Sequence, residues 1–330
     1  MVSPRRSSKA RLASAVEAHA DARWEDASLI LDGLQDCDAA DAERRYAIQH
    51  DADALRRALK ALEGNLDDGF THSADAEKIS VRYRVEPATA ATTIAVRVAD
   101  IPAEAAVAVP LLYECDLLPT WMPAALGMEV EILERKGRFG LVVFMKLWFP
   151  WPMNDRYCVI DAAAVDVTAS RGGFAVVVRD ATDFDAEKLP AAAADAVRCD
   201  IFLAGAIVSP TGPATMALRN VMNVDPRLAV VPTSLVNFVT RHIIWFAFSA
   251  FRKKCGEITA HGLPEAYTER MAARRDLYDD VAARLAKVTP PGESSKPPKP
   301  SQPPPPPQQG CCVPPGEEAK STPPGGCCVS

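Results

Sequence analysis

The sequence predicts an α+β fold, with antiparallel strands in the middle of the chain and helices around them. Three observations carry this. Residues 79–180 contain repeated runs in which apolar and polar residues alternate with a period of two. Glycine-bearing turns join the central runs, as in hairpins. Runs with helical periodicity flank them. Antiparallel strands bracketed by helices make an α+β domain, not a doubly wound parallel sheet.

Helical character comes first along the chain. Residues 9–68 are rich in Ala, Leu, Glu, Asp and Arg. Trp24, Ala27, Leu31 and Leu34 fall on one helical face, and Leu55, Ala58, Leu59 and Leu62 on another that ends near Gly64 and Asn65. Asp36 to Asp41 reads as a turn between them. The expectation is a helical hairpin that packs on the main domain or on a protein partner.

Residues 79–85 and 93–98 alternate as half-buried strands do. A helical piece follows over 103–118. Strands are then expected at 129–135, 139–149, 156–168 and 173–180, joined through Gly137 and Gly172-Gly173. Two more, at 197–208 and 214–224, flank Pro210-Thr211-Gly212-Pro213. A long helix begins at Pro232, where proline suits the first turn. From Pro290 onward the chain holds half of its 28 prolines, the composition of a semi-rigid polyproline-type spacer. The expected division is therefore 1–69, a helical region; 70–288, the main domain; and 289–330, a disordered tail.

The bulk numbers narrow the function. A chain of 330 residues with 48% hydrophobic content has room for one large packed domain plus appendages. A net charge of −6 argues against nonspecific nucleic-acid binding, which needs a basic surface. Of nine cysteines, four sit in the tail as vicinal pairs, and Cys37, Cys115, Cys158, Cys199 and Cys255 are scattered. That pattern predicts a reduced, intracellular protein without a disulfide framework. The first residues lack the apolar core of a secretory signal. The longest apolar stretch, residues 243–251, falls far short of the ~20 residues a spanning helix needs, so no transmembrane segment is expected.

The chain ends in Cys327-Cys328-Val329-Ser330, a C-a-a-X pattern whose terminal serine favours a farnesyl group on Cys327. One lipid anchors only marginally, so a second signal is needed. A basic patch is missing, since Lys296, Lys299 and Lys320 are matched by Glu293, Glu317 and Glu318. Cys311 and Cys312 repeat the Gly-Cys-Cys-Val context of the end and are candidates for S-palmitoylation. The alternative is a duplicated low-complexity segment without lipid. The expected location is the cytoplasmic face of a membrane, through the farnesyl and palmitoyl groups.

No catalytic constellation stands out. The five histidines form no metal spacing with each other or with cysteines, and there is no G-x-S-x-G elbow, G-x-G-x-x-G turn or P-loop. No cofactor is expected.

Several motifs in residues 70–288 resemble those of the START family, the steroidogenic-acute-regulatory-related lipid-transfer domains. Asp116 with Leu117-Leu118-Pro119-Thr120-Trp121-Met122-Pro123 resembles the end of the family's early helix. Phe149-Pro150-Trp151-Pro152-Met153-Asn154-Asp155-Arg156-Tyr157 resembles its proline-bracketed strand start, although the family's usual Arg-Asp pair stands reversed here. Asp225-Pro226-Arg227 and Val231-Pro232-Thr233-Ser234-Leu235-Val236-Asn237 resemble the turn into its C-terminal lid helix, and Phe251-Arg252-Lys253-Lys254 that helix's basic finish. The resemblance covers about two-thirds of the chain. It implies a helix-grip fold, a curved antiparallel sheet around a long C-terminal helix, with an apolar tunnel for one sterol, phospholipid or sphingolipid.

The residues supply candidates for such a tunnel. Residues 141–149 are almost unbroken apolar sequence, as in a strand facing a cavity or buried on both faces, with Phe144 and Trp148 in it. Lys146 interrupts the run and needs a partner or an anionic head group, or else snorkels to water. Arg198 and Arg219 invite the same two readings. Met216 and Met222 suit a changeable lining or ordinary core filling. Phe238, His242 and Phe246 recur at helical spacing and cover either core or the cavity mouth, with His242 a polar flank. The expected function is a membrane-tethered lipid-binding or lipid-transfer protein. The alternatives are a lipid-gated signalling adaptor, whose N-terminal helices report occupancy to a protein partner, and a hydrolase or cyclase of the wider fold. Residues 303–307 serve as a spacer or as a ligand for SH3 or WW domains.

Overall fold

A computed structural model describes residues 4–289, apart from 33, 35–38, 87–90, 150–152, 228–233 and 235–237. The described residues belong to a compact unit, Met1–Ser294; the second unit, Ser295–Ser330, lies wholly outside them. So do Cys311, Cys312 and Cys327, residues 36–38 of the expected turn, and the helix start at Pro232; residues 39–41, expected in that turn, already belong to the following helix.

Ten strands form one sheet. They are β1 (Thr71–Ala76), β2 (Ile79–Val85), β3 (Thr92–Ile101), β4 (Glu129–Lys136), β5 (Gly140–Leu147), β6 (Arg156–Asp166), β7 (Phe174–Asp180), β8 (Val197–Arg198), β9 (Asp200–Gly212) and β10 (Thr215–Asp225). The order is β1-β2-β3-β10-β9-β7-β6-β5-β4, and every pair on this path is antiparallel; β8 adds a short parallel pairing to β6. Seven of these strands begin and end within three residues of the ranges the sequence predicts. β1 departs from the alternation pattern because Thr-His-Ser-Ala-Asp-Ala is largely polar, and the strand forms as an edge against β2.

The helices are α1 (Pro4–Ala20), α2 (Trp24–Leu31), α3 (Ala39–Glu63), α4 (Ala105–Tyr113), the short α5 (Thr168–Arg171), α6 (Trp245–His261), α7 (Glu265–Ala273) and α8 (Arg275–Leu285). A π-helical turn, Val239–Ile244, leads into α6. The helix expected over 103–118 tightens after Tyr113 into a 3-10 turn, Cys115–Thr120. The C-terminal helix runs on to His261, beyond its expected basic finish, and α7 and α8 follow where no element was expected.

Apolar side chains on the inner face of the sheet, among them Val81, Val96, Val98, Val143 and Leu218, pack against α4, α6, α7 and α8. On the outer face α3 lays Leu55, Ala58, Leu59 and Leu62 over Val177, Ile207 and Val221. Gly205 permits this close approach, since a Cβ there would sit 3.1 Å from the Cβ of Ala58. α1 and α2 close a separate small core on α3 through Leu12, Ala15, Leu31 and Ile48.

Two charge clusters fasten the C-terminal helices. Glu114, fully buried, accepts hydrogen bonds from Arg135 Nη2 at 2.7 Å, Arg270 Nη1 at 3.3 Å and the Tyr278 hydroxyl at 2.6 Å. Burial, and then the bond to Glu114, raise the Tyr278 phenol. Near the end of α8, Arg284 binds Asp21 at 2.6 Å, Asp280 at 2.8 Å and Asp166 at 3.1 Å. Burial works to lower the Arg284 pKa, and these three carboxylates outweigh it. Just beyond, Val288 packs at the turn before β7, where a Cβ on Gly172 would meet it at 3.4 Å.

Candidate functional site

Two apolar cavities open on the inner face of the sheet. The first, about 290 Å³, lies between the middle of the sheet and α4 and α8, whose Val109, Leu112, Leu277 and Val281 roof it. Its floor is rich in alanine: Ala162 and Ala164 of β6, Ala204 and Ala206 of β9. Short side chains at these inward positions leave space that larger residues would fill. The second cavity, about 210 Å³, sits at the end of the sheet where β5 ends and β6 begins. Val239, Ile243 and Ile244 of the π-helical turn cover it, and Ile94, Leu147, Ile201 and Val224 line it. Met145 borders both cavities.

Few polar groups interrupt these walls. In the first cavity Asn220 donates to Gly205 O while its Oδ1 is buried without a partner. In the second, the buried Thr92 Oγ1 likewise has none. Arg156, 6% exposed, also lines the second cavity. Its Nε donates to Pro226 O at 2.8 Å and its Nη1 to the Asn154 and Asp155 carbonyls, and its guanidinium lies 5.3 Å from the Phe149 ring. Cys158 and Cys199 line the same cavity, and burial pushes both thiols up to about 12, which leaves them poor nucleophiles at neutral pH. Among the described residues no three His, Cys, Asp or Glu side chains gather as a metal site, and no helix is long and apolar enough to cross a membrane.

The structure spreads the sequence-derived candidates widely. Met222 lines the second cavity. Met216 is wholly buried in the main core. Phe144 packs on the other side of β5, with Val142 and Val159 against Phe184 and Leu189. Lys146 pairs with Glu129 at 3.1 Å and Asp155 at 3.4 Å, and the hydrogen bond to Glu129 leads the rise in its pKa. Arg198 pairs with Asp180 at 2.6 Å. Arg219 stands opposite Arg97 in the β3–β10 ladder; burial pushes Arg97 down to about 10, with repulsion from Arg219 adding to it. Phe238 and His242 meet with ring centres 5.4 Å apart, His242 being exposed. Trp148 and Phe246 are exposed. The residues that do border the cavities include Met145, Thr92, Arg156 and Asn220, which sequence reasoning did not single out as a binding set.

No protein-family model and no curated protein matches the chain. Solved structures do. Human StAR-related lipid transfer protein 5 aligns with a TM-score of 0.52 and 13% identity, over 65% of this chain and 98% of that one. Human STARD10 aligns with a TM-score of 0.48 and 17% identity, over 70% and 86% of the two chains. A STAR-related lipid transfer protein fragment from Xanthomonas axonopodis gives 0.42 and 18%, over 57% and 99%. The first of these carries the comparison, and with the sheet order and the C-terminal helices described above it shows that the chain has the helix-grip fold of the START domains.

Proposed function

We propose that the protein binds one lipid in the inner-face cavities and transfers it between membranes, held at one of them by its tail. The two apolar cavities, nearly free of polar lining, are the observation that carries this reading. Such walls offer a lipid an apolar environment much like the bilayer it leaves, so selectivity rests on the few polar groups among them. The π-helical turn Val239–Ile244 covers the second cavity. π-helical turns are rare and occur frequently at functional sites, and its place over the cavity makes this segment the one that opens for lipid uptake.

The division at 1–69, 70–288 and 289–330 belongs to this reading, with the lipid-binding part in the middle and Cys327 farnesylated at the end. Cys311 and Cys312 supply the second membrane signal. Native mass spectrometry of the full chain from eukaryotic cells, with analysis of whatever co-purifies, is the test. We expect one lipid per chain. A chain that arrives empty and takes up no offered sterol, phospholipid, sphingolipid or fatty acid overturns the reading. Substituting Cys327→Ser is expected to move the protein from the membrane to the soluble fraction, and unchanged partition would remove the anchor from the proposal.

A second reading has its own support. α3 rests directly on β9, whose inner side floors the first cavity, and Ala58 and Leu62 approach Gly205 there. A shift of β9 on filling of the cavity would reach the N-terminal helices through this contact, as a lipid-gated adaptor requires. Rapid lipid exchange between vesicles favours transfer; binding without exchange favours the adaptor.

A further inference from the structure

Arg156 is the one buried cation among the described residues, as Glu114 is the one buried anion. Their surroundings differ. Glu114 has two arginines and a tyrosine hydroxyl around it. The described bonds of Arg156 go only to backbone carbonyls, and its Nη2 is committed to no described group. Of the acids nearby, Asp155 pairs with Lys146, Asp180 with Arg198 and Asp200 with Arg227, and Asp225 accepts from the Arg227 backbone N–H at 2.7 Å. Carbonyl bonds satisfy donors without neutralising charge, and an unneutralised buried charge is costly. Among the described residues the more exposed cations around it have carboxylates, and the most deeply buried one does not.

Thr92 stands at the same cavity, 7% exposed, with its hydroxyl unpartnered. Thr92 and Arg156 bring a hydroxyl and a guanidinium to the wall of an otherwise apolar cavity, where a small anionic head could meet both. Size limits what is attached to it. Pockets for drug-sized ligands run to roughly 300–1,000 Å³. The two cavities, about 290 and 210 Å³, lie at or below the bottom of that range singly and in its lower half jointly. Their joint volume suits one acyl chain better than two with a phosphate ester.

Resting on the lipid-binding reading above, we propose that the ligand is a single-chain lipid carboxylate, its head held by the Arg156 guanidinium and the Thr92 hydroxyl, its chain passing Met145 into the alanine-floored cavity. A planar guanidinium matches a carboxylate in geometry as well as charge. The acid of the ligand thereby stands in for the side-chain carboxylate that the neighbouring cations have and that Arg156 lacks among the described residues.

The test offers delipidated full-length protein four probes: palmitate, hexadecanol (the same chain with a neutral head), cholesterol and dipalmitoylphosphatidylcholine. We expect one palmitate per chain, bound about tenfold or more tighter than hexadecanol, as a charge-assisted hydrogen bond supplies. Arg156→Met is expected to bring palmitate down to the hexadecanol level. Because Arg156 also ties β6 to the end of β10, Thr92→Val is the companion variant; it disturbs none of the arginine's bonds and is expected to weaken palmitate several-fold with hexadecanol unchanged. Wild-type protein that takes hexadecanol, cholesterol or the phosphatidylcholine as tightly as palmitate overturns the carboxylate assignment and leaves lipid binding standing. Palmitate affinity unchanged by Thr92→Val overturns it as well. Failure to take up any of the four removes the lipid-binding reading with it.

Discussion

Replacing Glu114 by alanine is expected to destabilise the protein by about 3 kcal/mol, a loss built from charge-assisted hydrogen bonds and from a buried donor left unsatisfied. The carboxylate is wholly buried and joins β4, through Arg135, to α7 and α8, through Arg270 and Tyr278. Arg135 and Arg270 are 31% and 42% exposed and recover hydration when the acid is removed, which keeps the cost below that of a fully buried pair. The Tyr278 hydroxyl has no such recourse, being buried with its donor pointed at the missing oxygen. Urea unfolding should show a lower midpoint with an unchanged slope. A shift worth less than about 1 kcal/mol, within the range of exposed pairs, would show that the cluster does not fasten the C-terminal helices.

Replacing Ala206 by phenylalanine is expected to abolish lipid uptake while leaving stability nearly unchanged. Ala206 belongs to the floor of the 290 Å³ cavity, and a phenyl ring built there occupies the space an acyl chain would use. The stability measurement distinguishes two explanations. In a well-packed core such an enlargement costs about 1–3 kcal/mol through overpacking; above an empty cavity the ring adds contacts and removes none. Lost uptake with intact stability means the ring has replaced the ligand. Lost uptake with a large drop in stability would mean the cavity does not exist in solution, and retained uptake would place the lipid elsewhere.

The strands were legible because a sheet with one face on the core writes its burial as alternation, and Ile79 to Val85 is a clear case. β5 erased that signal. Leu141, Val142, Val143 and Phe144 are all buried, since residues 181–193 cover the outer face of the strand there. An apolar run with no polar side cannot reveal which residues face inward. Hence Phe144 drew attention while Val143 and Met145 border the first cavity. Alanine carries no mark of a cavity either, since the same residue serves tight packing and open space. α7 and α8 were hidden for another reason. Their apolar face is thin, essentially Tyr267, Leu277, Tyr278, Val281 and Leu285, and ion pairs with partners as distant in sequence as Glu114 and Asp21 hold them. Arg156 entered only as half of the reversed Arg-Asp pair, and the tertiary fold shows that it is buried with backbone carbonyls as its partners among the described residues.

The packing of Val288 at Gly172 fixes where the described chain leaves the domain. Gly172 lies beside the end of β6 that carries Asp166, whereas the second cavity lies at the end that carries Arg156. The eleven residues of β6 separate these poles by roughly 35 Å. The second cavity and the last described residues thus stand at opposite ends of one strand, so the described chain leaves the domain without crowding the opening.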